Sequence, residues 1–262
     1  MQLFRDIFDF GAGMVLSAGR AGILFCEALL RLHYVFKPRT FKKVVTQEFL
    51  CGVASIPVVT ITALFSGMVI AGQTGFELKR FGLTQTLGAI VGVAMTREMG
   101  PVLTAVVVAG FVGGGMASVL GTMRVNEEID ALDVMAIDPV KYLVVPRLFA
   151  MMIAAPALTV YADVVGIIGG AVVSKAQLGL PYETFTNWMW DSLEVTDINF
   201  GILKGFVFGI IITMVACEQG YSASGGAEGV GRATMRSVVY SFLLILVANY
   251  VLFSLIYKPF FA

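Results

Sequence analysis

Residues 83 to 121 read LTQTLGAIVGVAMTREMGPVLTAVVVAGFVGGGMASVLG, an apolar run interrupted by the polar triplet Thr96-Arg97-Glu98. A bilayer core of about 30 Å is crossed by roughly 20 mostly apolar helical residues. The run is therefore too long for one straight crossing, and its first part, 83 to 95, is too short to cross alone. Both interpretations of the interruption predict one membrane crossing that carries an arginine and a glutamate.

The composition of the whole chain agrees with a membrane protein. Its 262 residues are 58% hydrophobic and 14% charged, with mean hydropathy +0.86, whereas soluble domains are about half apolar and about a quarter charged. A formal net charge of zero gives no indication of nucleic-acid binding. The three cysteines, Cys26, Cys51 and Cys217, lie far apart without CxxC or histidine partners. They predict neither disulfides nor a metal site but buried apolar packing.

Hydropathy and spacing divide the chain into an N-terminal amphipathic segment and five crossings within one domain, residues 1 to 262. The predicted crossings are residues 46 to 72, 83 to 121, 147 to 174, 200 to 217 and 237 to 257. The predicted fold class is therefore an all-α polytopic membrane protein, and Pro57 and Pro156 are expected to kink its helices.

The segment before the first crossing, within residues 1 to 40, has the periodicity of a helix that lies in the membrane interface. Acidic residues near the start argue against a signal peptide. The apolar stripe is Leu3, Phe4, Ile7, Phe8, Met14 and Val15, opposed by Arg5, Asp6 and Asp9.

Lysine and arginine in the loops predict the orientation. Twelve lie before the first crossing or in the segments 122 to 147 and 218 to 236, and four lie on the opposite side. The first set is predicted to be cytoplasmic, which places the N-terminus inside and the C-terminus outside. Trp188 and Trp190, in the predicted outer loop 176 to 198, suit the outer interface.

The cytoplasmic loop 122 to 147 is rich in carboxylates and contains a predicted short helix over 127 to 137. Asn126 is the expected cap and Asp138-Pro139 the stop signal. The helix carries an apolar stripe, Ile129, Leu132 and Ala136, beside an acidic face, Glu127, Asp130 and Asp133. A solvated connector is one interpretation. Acidic residues suit an anionic leaflet poorly, so insertion into a groove of a protein partner is favoured.

The run Glu127-Glu128-x-Asp130-Ala131-Leu132, followed by Asp138-Pro139 and Val145-Pro146-Arg147, resembles the signature loop of the MlaE (YrbE) permeases. These are the membrane subunits of ABC transporters that move phospholipid together with MCE proteins. The resemblance covers essentially the whole chain, including Thr96-Arg97-Glu98-Met99-Gly100-Pro101. It implies that loop 122 to 147 is a coupling loop that docks on the ATPase through Glu127, Glu128, Ile129, Asp130, Leu132 and Asp133.

The resemblance also implies the partners and the location. They are an ABC ATPase on the cytoplasmic side, an MCE-domain protein on the periplasmic side, phospholipid and a second copy of the chain, and the family context allows a small STAS-type subunit. The location implied is the bacterial inner membrane, and the function implied supports outer-membrane lipid asymmetry. ATP would be bound by the partner, with no cofactor in this chain, because the Gly-rich stretch at 225 to 232 lacks the Lys-Ser/Thr ending of a P-loop. That stretch is either a second ATPase contact or simply a loop.

Charged groups inside the crossings cost on the order of 2.5 to 3.5 kcal/mol each when unpaired. They are Arg97, Glu98, Asp163 and Lys204, and their signs allow pairing, for example Glu98 with Lys204. They are expected either to hold helices in register or to line the lipid route. The alternative function is an ion-coupled secondary transporter of an amphipathic substrate, against which the absence of an evident inverted repeat argues. No motif of a membrane-embedded enzyme occurs.

Overall fold

The computed structural model describes the backbone of residues 2 to 36 and 38 to 257, and the side chains of 11 to 34 and 42 to 255. Every regular element in these ranges is helical, which confirms the all-α fold class. In chain order the α-helices are α1 (Gln2–Leu30), α2 (Pro38–Cys51), α3 (Ile56–Arg80), α4 (Leu87–Ala94), α5 (Gly100–Val108), α6 (Gly114–Val125), α7 (Glu128–Val134), α8 (Val145–Leu178), α9 (Tyr182–Ser192), α10 (Val195–Tyr221) and α11 (Gly226–Leu252).

The predicted second crossing is one helical path, from α4 through α5 to α6, widened by two π-helical turns at Met95–Met99 and Ala109–Gly113. A π turn adds a residue to the turn and frequently marks a functional site. The polar triplet 96 to 98 lies in the first of these turns. A further π turn, Val140–Val144, leads into α8.

Six stretches are long and apolar enough to cross a membrane. Five correspond to the predicted crossings, and the sixth lies in α1. The six are Gly11–Leu30, Lys42–Arg80, Thr84–Val125, Val140–Leu178, Val195–Tyr221 and Gly226–Leu255. The segment 176 to 198, predicted as a loop, instead contains the short helix α9, on which Trp188 and Trp190 lie.

The contacts of α1 hold it at one end of the bundle. Ser17 donates a hydrogen bond of 2.5 Å to Glu218, at the end of α10, and Arg31 Nε lies 2.7 Å from Asp138 Oδ2, between α7 and α8. Both acceptors lie at the same end of the bundle, which we call the α7 end. A helix with both parts held at one end lies across the bundle rather than along it. The side chains of the first half of the predicted stripe, Leu3, Phe4, Ile7 and Phe8, lie outside the described residues.

The centre of the bundle is formed by α8, which packs against α3, α5 and α10, and by α10, which also packs against α6, α11 and α1. α3 and α8 approach each other closely at Gly67, where an added Cβ would overlap the carbonyl group of Gly166. Small residues allow such contact between membrane helices. On the second crossing, Gly114 packs against α11, whereas Gly110 faces open space.

Two expectations about local structure need correction. Pro57 lies in the first turn of α3, where its missing N–H costs no helical hydrogen bond, so it does not kink the middle of a crossing. Pro156 does lie inside α8. Cys51 and Cys217 are buried as expected, but Cys26 is exposed.

Candidate functional site

Polar side chains from four helical segments meet inside the bundle towards the end opposite α7, which we call the α9 end. They come from the π turn Met95–Met99, α8, α10 and α11. The cluster, which we call the buried polar cluster, consists of Arg97, Glu98, Asp163, Asp197, Lys204 and Asn249. It contains all four of the predicted intramembrane charges.

Arg97 and Asp197 form a two-pronged ion pair. Arg97 Nε lies 2.5 Å from Asp197 Oδ1, and Nη2 lies 3.1 Å from Oδ2. The Asp197 side chain is fully buried, so the guanidinium group offsets the cost of placing its charge in a medium of low dielectric constant. Asp197 Oδ2 also accepts a hydrogen bond from the backbone N–H of Glu194, which closes a capping box at the start of α10.

The predicted contact between Glu98 and Lys204 is present. Lys204 Nζ lies 2.7 Å from Glu98 Oε1 and 2.8 Å from the backbone oxygen of Arg97. That oxygen is four residues before Pro101, which has no N–H to donate to it, and the ammonium group supplies the missing donor. Asn249 Nδ2 donates to Glu98 Oε2 at 2.9 Å. The ion pair with Lys204 ties the second crossing to α10, and the hydrogen bond from Asn249 ties it to α11.

Asp163 lies beside these pairs without joining them. It is 6% exposed, and its Oδ1 has no hydrogen-bond partner among the described residues. The carboxyl group occupies the space that a side chain at Gly100 would fill, and it borders Gly201 on α10. Three segments therefore approach one another at Asp163 only because two of them carry glycine there.

The cavity that the described residues enclose beside Arg97, Glu98 and Lys204 is small. A cavity of about 20 Å³ lies between the Arg97, Glu98 and Lys204 side chains and apolar residues of α10 and α11. That volume suits about one water molecule, not a lipid headgroup. Glu98 is the most exposed of these three side chains, at 37%. A larger ligand must therefore approach from the surface that Glu98 faces.

The acidic segment at the α7 end differs from its prediction in which side chains are available. Ile129 and Leu132 are 3% and 9% exposed and pack in this chain's own core with Leu120 and Leu143. The expectation that these two residues enter a partner's groove is therefore wrong. Exposed instead are the four predicted carboxylates, Glu127, Glu128, Asp130 and Asp133, together with Val134, Met135, Ala136 and Ile137.

The helix in this segment is also shorter than the predicted 127 to 137. Asn126 does not cap it: Glu127 precedes the helix in the left-handed region, with φ 59°. Ala136 is left-handed as well, with φ 57°, and two backbone hydrogen bonds close a Schellman motif there, from Ala136 to Asp133 and from Ile137 to Leu132. Left-handed residues other than glycine carry strain of order 1 kcal/mol or more.

Asp138 connects the acidic segment to α1 and α8. Its Oδ1 accepts hydrogen bonds from the backbone N–H groups of Val140 and Lys141, at 3.1 and 3.3 Å. Its Oδ2 pairs with Arg31 at the end of α1. The predicted stop signal is thus also the cap of the next helical segment. Lys141 stacks over the ring of Tyr34, 3.8 Å from its centre, and adds a second link.

Neither a metal site nor a nucleotide cradle stands out in the described ranges. No group of three or more His, Cys, Asp or Glu side chains that could hold a metal ion is found there. The Gly-rich stretch follows α10 rather than a strand, and it enters α11 through two left-handed glycines, Gly225 and Gly226. Both features differ from a P-loop.

The fold and the cluster define a class: a polytopic α-helical membrane protein with paired charges inside its bundle. The model of the family Permease MlaE matches residues 44 to 255. The chain belongs to this family, which confirms the resemblance seen in segment 122 to 147.

Three relatives show how far the similarity extends. The Probable ABC transporter permease protein RT0041 of Rickettsia typhi is 37% identical over 95% of this chain and 96% of its own length. The Intermembrane phospholipid transport system permease protein MlaE of Haemophilus influenzae is 31% identical over 97% and 96%. The chloroplastic protein TRIGALACTOSYLDIACYLGLYCEROL 1 of Arabidopsis thaliana is 37% identical over 79% and 59%. The chain is thus similar to ABC permeases over nearly its whole length.

Proposed function

We propose that this chain is the membrane subunit of an ATP-driven transporter that moves phospholipid between the inner membrane and an MCE protein on the periplasmic side. In this role it supports outer-membrane lipid asymmetry. The observation that carries the proposal is its membership of the MlaE permease family, together with paired charges buried in its bundle. A relative over nearly the whole chain bears the name of an intermembrane phospholipid transport permease.

In this proposal the buried polar cluster meets the lipid headgroup. A phospholipid carries a phosphate anion, and most headgroups add a cation, so its charges can exchange with those of Lys204 and Glu98. Buried charges of this kind are costly unless they are paired, and in membrane proteins they mark substrate paths. Asp163, Arg97 and Lys204 border the same route, and Glu98 faces its open side.

The lipid path is completed by a second copy of the chain. The cavity of about 20 Å³ that the described residues enclose at the cluster is too small for a headgroup, so in this proposal the path has another wall. A homodimer supplies that wall and offers two coupling segments to two ATPase subunits. The large exposed apolar side chains on α3 and α11 leave room both for this contact and for lipid.

The acidic segment at the α7 end is proposed as the contact with the ATPase, which binds and hydrolyses the ATP. Its exposed surface combines four carboxylates with Val134 and Met135, which are 88% and 60% exposed. Apolar side chains ringed by charges are typical of the centre and rim of a protein interface. A small STAS-type subunit would join the complex on the same side.

The proposed orientation places the α7 end in the cytoplasm and α1 along the inner leaflet. To test it, Glu27, which is half-exposed on α1, is replaced by cysteine in a variant without the native cysteines. A membrane-impermeant thiol reagent should label this cysteine in inverted vesicles but not in intact spheroplasts. Labelling from the outside would contradict the orientation.

The decisive experiment reconstitutes the chain with its ATPase and MCE partners in liposomes that contain a fluorescent phospholipid. We expect transfer to the MCE protein that requires ATP hydrolysis and persists when ion gradients are collapsed. An ion-coupled secondary transporter would give the opposite dependence, with transfer lost on collapse of the gradient and indifferent to ATP.

A further inference from the structure

A second polar site lies at the α7 end, in a cavity of about 380 Å³ between α1, the end of α10 and the start of α11. It is far from the buried polar cluster and distinct from the acidic segment. Three arginines line it, Arg20, Arg232 and Arg236, with Glu218 as the acidic residue of the lining. We propose that this cavity binds the phosphate group of a lipid from the cytoplasmic leaflet.

Glu218 is already satisfied and does not need a cation from a ligand. Its carboxylate is 4% exposed and accepts hydrogen bonds from Ser17 at 2.5 Å, Gln219 at 2.6 Å and Ser222 at 3.2 Å. Arg20 Nη1 lies 3.6 Å away. These contacts fix one wall of the cavity and hold α1 against α10.

Among the described side chains that line the cavity, the arginines outnumber the acidic residues by three to one. Arg232 pairs with Glu228, one turn earlier on α11. Arg20 is more than half exposed, so its distant pairing with Glu218 is weak. Among the described side chains, none pairs with Arg236, which is exposed and lines the cavity. Guanidinium groups bind phosphate through paired charge-assisted hydrogen bonds, so the ligand class that fits is a phosphate.

The neighbouring surface indicates that this phosphate belongs to a lipid. Leu16 and Arg20 line both the polar cavity and an open apolar groove that follows the outer face of α1. Val15 and Ile23 in this groove are 70% and 64% exposed. A molecule with a phosphate in the cavity and an acyl chain in the groove covers both surfaces. A soluble phosphate compound would leave the apolar groove exposed.

The proposed site would anchor α1 to the inner leaflet and place one lipid beside the acidic segment. The inference rests on the proposed orientation, since the α7 end must face the cytoplasm. Its test uses neither ATP nor lipid transfer. Failure of the site therefore leaves the transport proposal standing, and failure of transport leaves the site to be judged by binding alone.

The test measures retention of phosphatidylglycerol by the purified full-length protein in detergent, using native mass spectrometry. The double variant Arg232→Gln/Arg236→Gln should retain about tenfold less lipid than the wild type, because the charge-assisted hydrogen bonds to phosphate are lost. The matched control, Arg80→Gln/Arg124→Gln, removes two arginines outside the cavity and should retain the wild-type amount. Equal retention by all three proteins would overturn the proposal, as would an equal loss in both double variants.

Two further arms identify the source of the phosphate. Diacylglycerol, which has the acyl chains without the phosphate, should not be retained, and retention equal to that of phosphatidylglycerol would assign the binding to the apolar groove alone. Inorganic phosphate at about 10 mM should not displace the bound lipid, because it lacks the apolar contacts. Displacement would assign the cavity to a soluble phosphate and overturn the lipid assignment.

Discussion

The buried polar cluster and the acidic segment treat their charged side chains in opposite ways. In the cluster, at the α9 end, four charges form two ion pairs: Asp197 is fully buried against Arg97, and Lys204 is 8% exposed against Glu98. At the α7 end the carboxylates of the acidic segment face outward, and its apolar side chains divide between the core and the surface. Buried pairs fix the relative positions of helices, whereas exposed carboxylates can reach a partner. Of the four carboxylates, Asp130 is also paired within the chain, with Arg124. We therefore assign packing and the lipid route to the buried polar cluster, and the partner contact to the acidic segment.

The sharpest test of this division lies inside the acidic segment. Ile129→Glu places a carboxylate in the chain's own core, which costs several kcal/mol when it is unpaired. We expect a large fall in the amount of folded protein in the membrane, measured by immunoblot and thermal unfolding. Val134→Glu on the same helix is the matched control and should keep normal abundance. Normal abundance of the Ile129 variant would show that this side chain is not part of the core.

The exposed side of the same helix should give a selective effect. Met135→Glu adds charge to a side chain that is 60% exposed, so the chain should fold, but retention of the ATPase on co-purification should fall by about tenfold or more if Met135 lies at the centre of the contact. Leu83→Glu changes a similarly exposed apolar residue, at 54%, at the opposite end. This control should keep the ATPase. Loss in both variants, or in neither, would remove the acidic segment as the docking site.

Two substitutions at Asp138 distinguish the contribution of its helix cap from that of its ion pair. Asp138→Ala removes both the cap of the segment that leads into α8 and the partner of Arg31, and should destabilise the protein by about 1 to 2 kcal/mol. Asp138→Asn keeps a capping oxygen and loses only the ion pair between two partly exposed groups, worth about 0 to 1 kcal/mol. The purified Asp138→Ala variant should therefore unfold at a clearly lower temperature than Asp138→Asn. Equal losses would mean that the cap contributes nothing.

The smallest expected effect concerns strain at the α7 end. Ala136 has φ 57° in the Schellman motif, where glycine is the favoured residue. Ala136→Gly should stabilise the protein by about 1 kcal/mol, whereas Ala131→Gly, inside the same helix, should destabilise it by a similar amount. Thermal unfolding distinguishes the two signs. Destabilisation by both would show that Ala136 is not held in the left-handed region.

Hydropathy and charge were sufficient to predict the crossings, and opposite signs at similar depth predicted the pairing of Glu98 with Lys204. Asp197 was missed because its segment was interpreted as a loop. Glu194 and Asp197 form a capping box in the structure, but Glu-x-x-Asp differs from the Ser/Thr-x-x-Glu/Gln pattern that signals one in a sequence. Asn249 carries no charge and gave no signal either. The inward face of the acidic helix could not be predicted, because periodicity identifies an apolar stripe without saying whether the same chain covers it.

In the proposed function the buried polar cluster serves lipid movement and not only packing. The most direct measurement compares Glu98→Ala, Lys204→Ala and the double variant in the reconstituted complex, with abundance, ATP hydrolysis and phospholipid transfer scored separately. We predict that the double variant keeps near-normal abundance and ATP hydrolysis but loses transfer, because the acidic segment is unchanged while the headgroup contacts are gone. Glu98→Ala leaves the buried Lys204 without its carboxylate, so the abundance of this single variant should fall whether or not the pair also serves transport. A purely structural pair would recover transfer together with abundance in the double variant. Transfer that survives in the double variant would contradict the account.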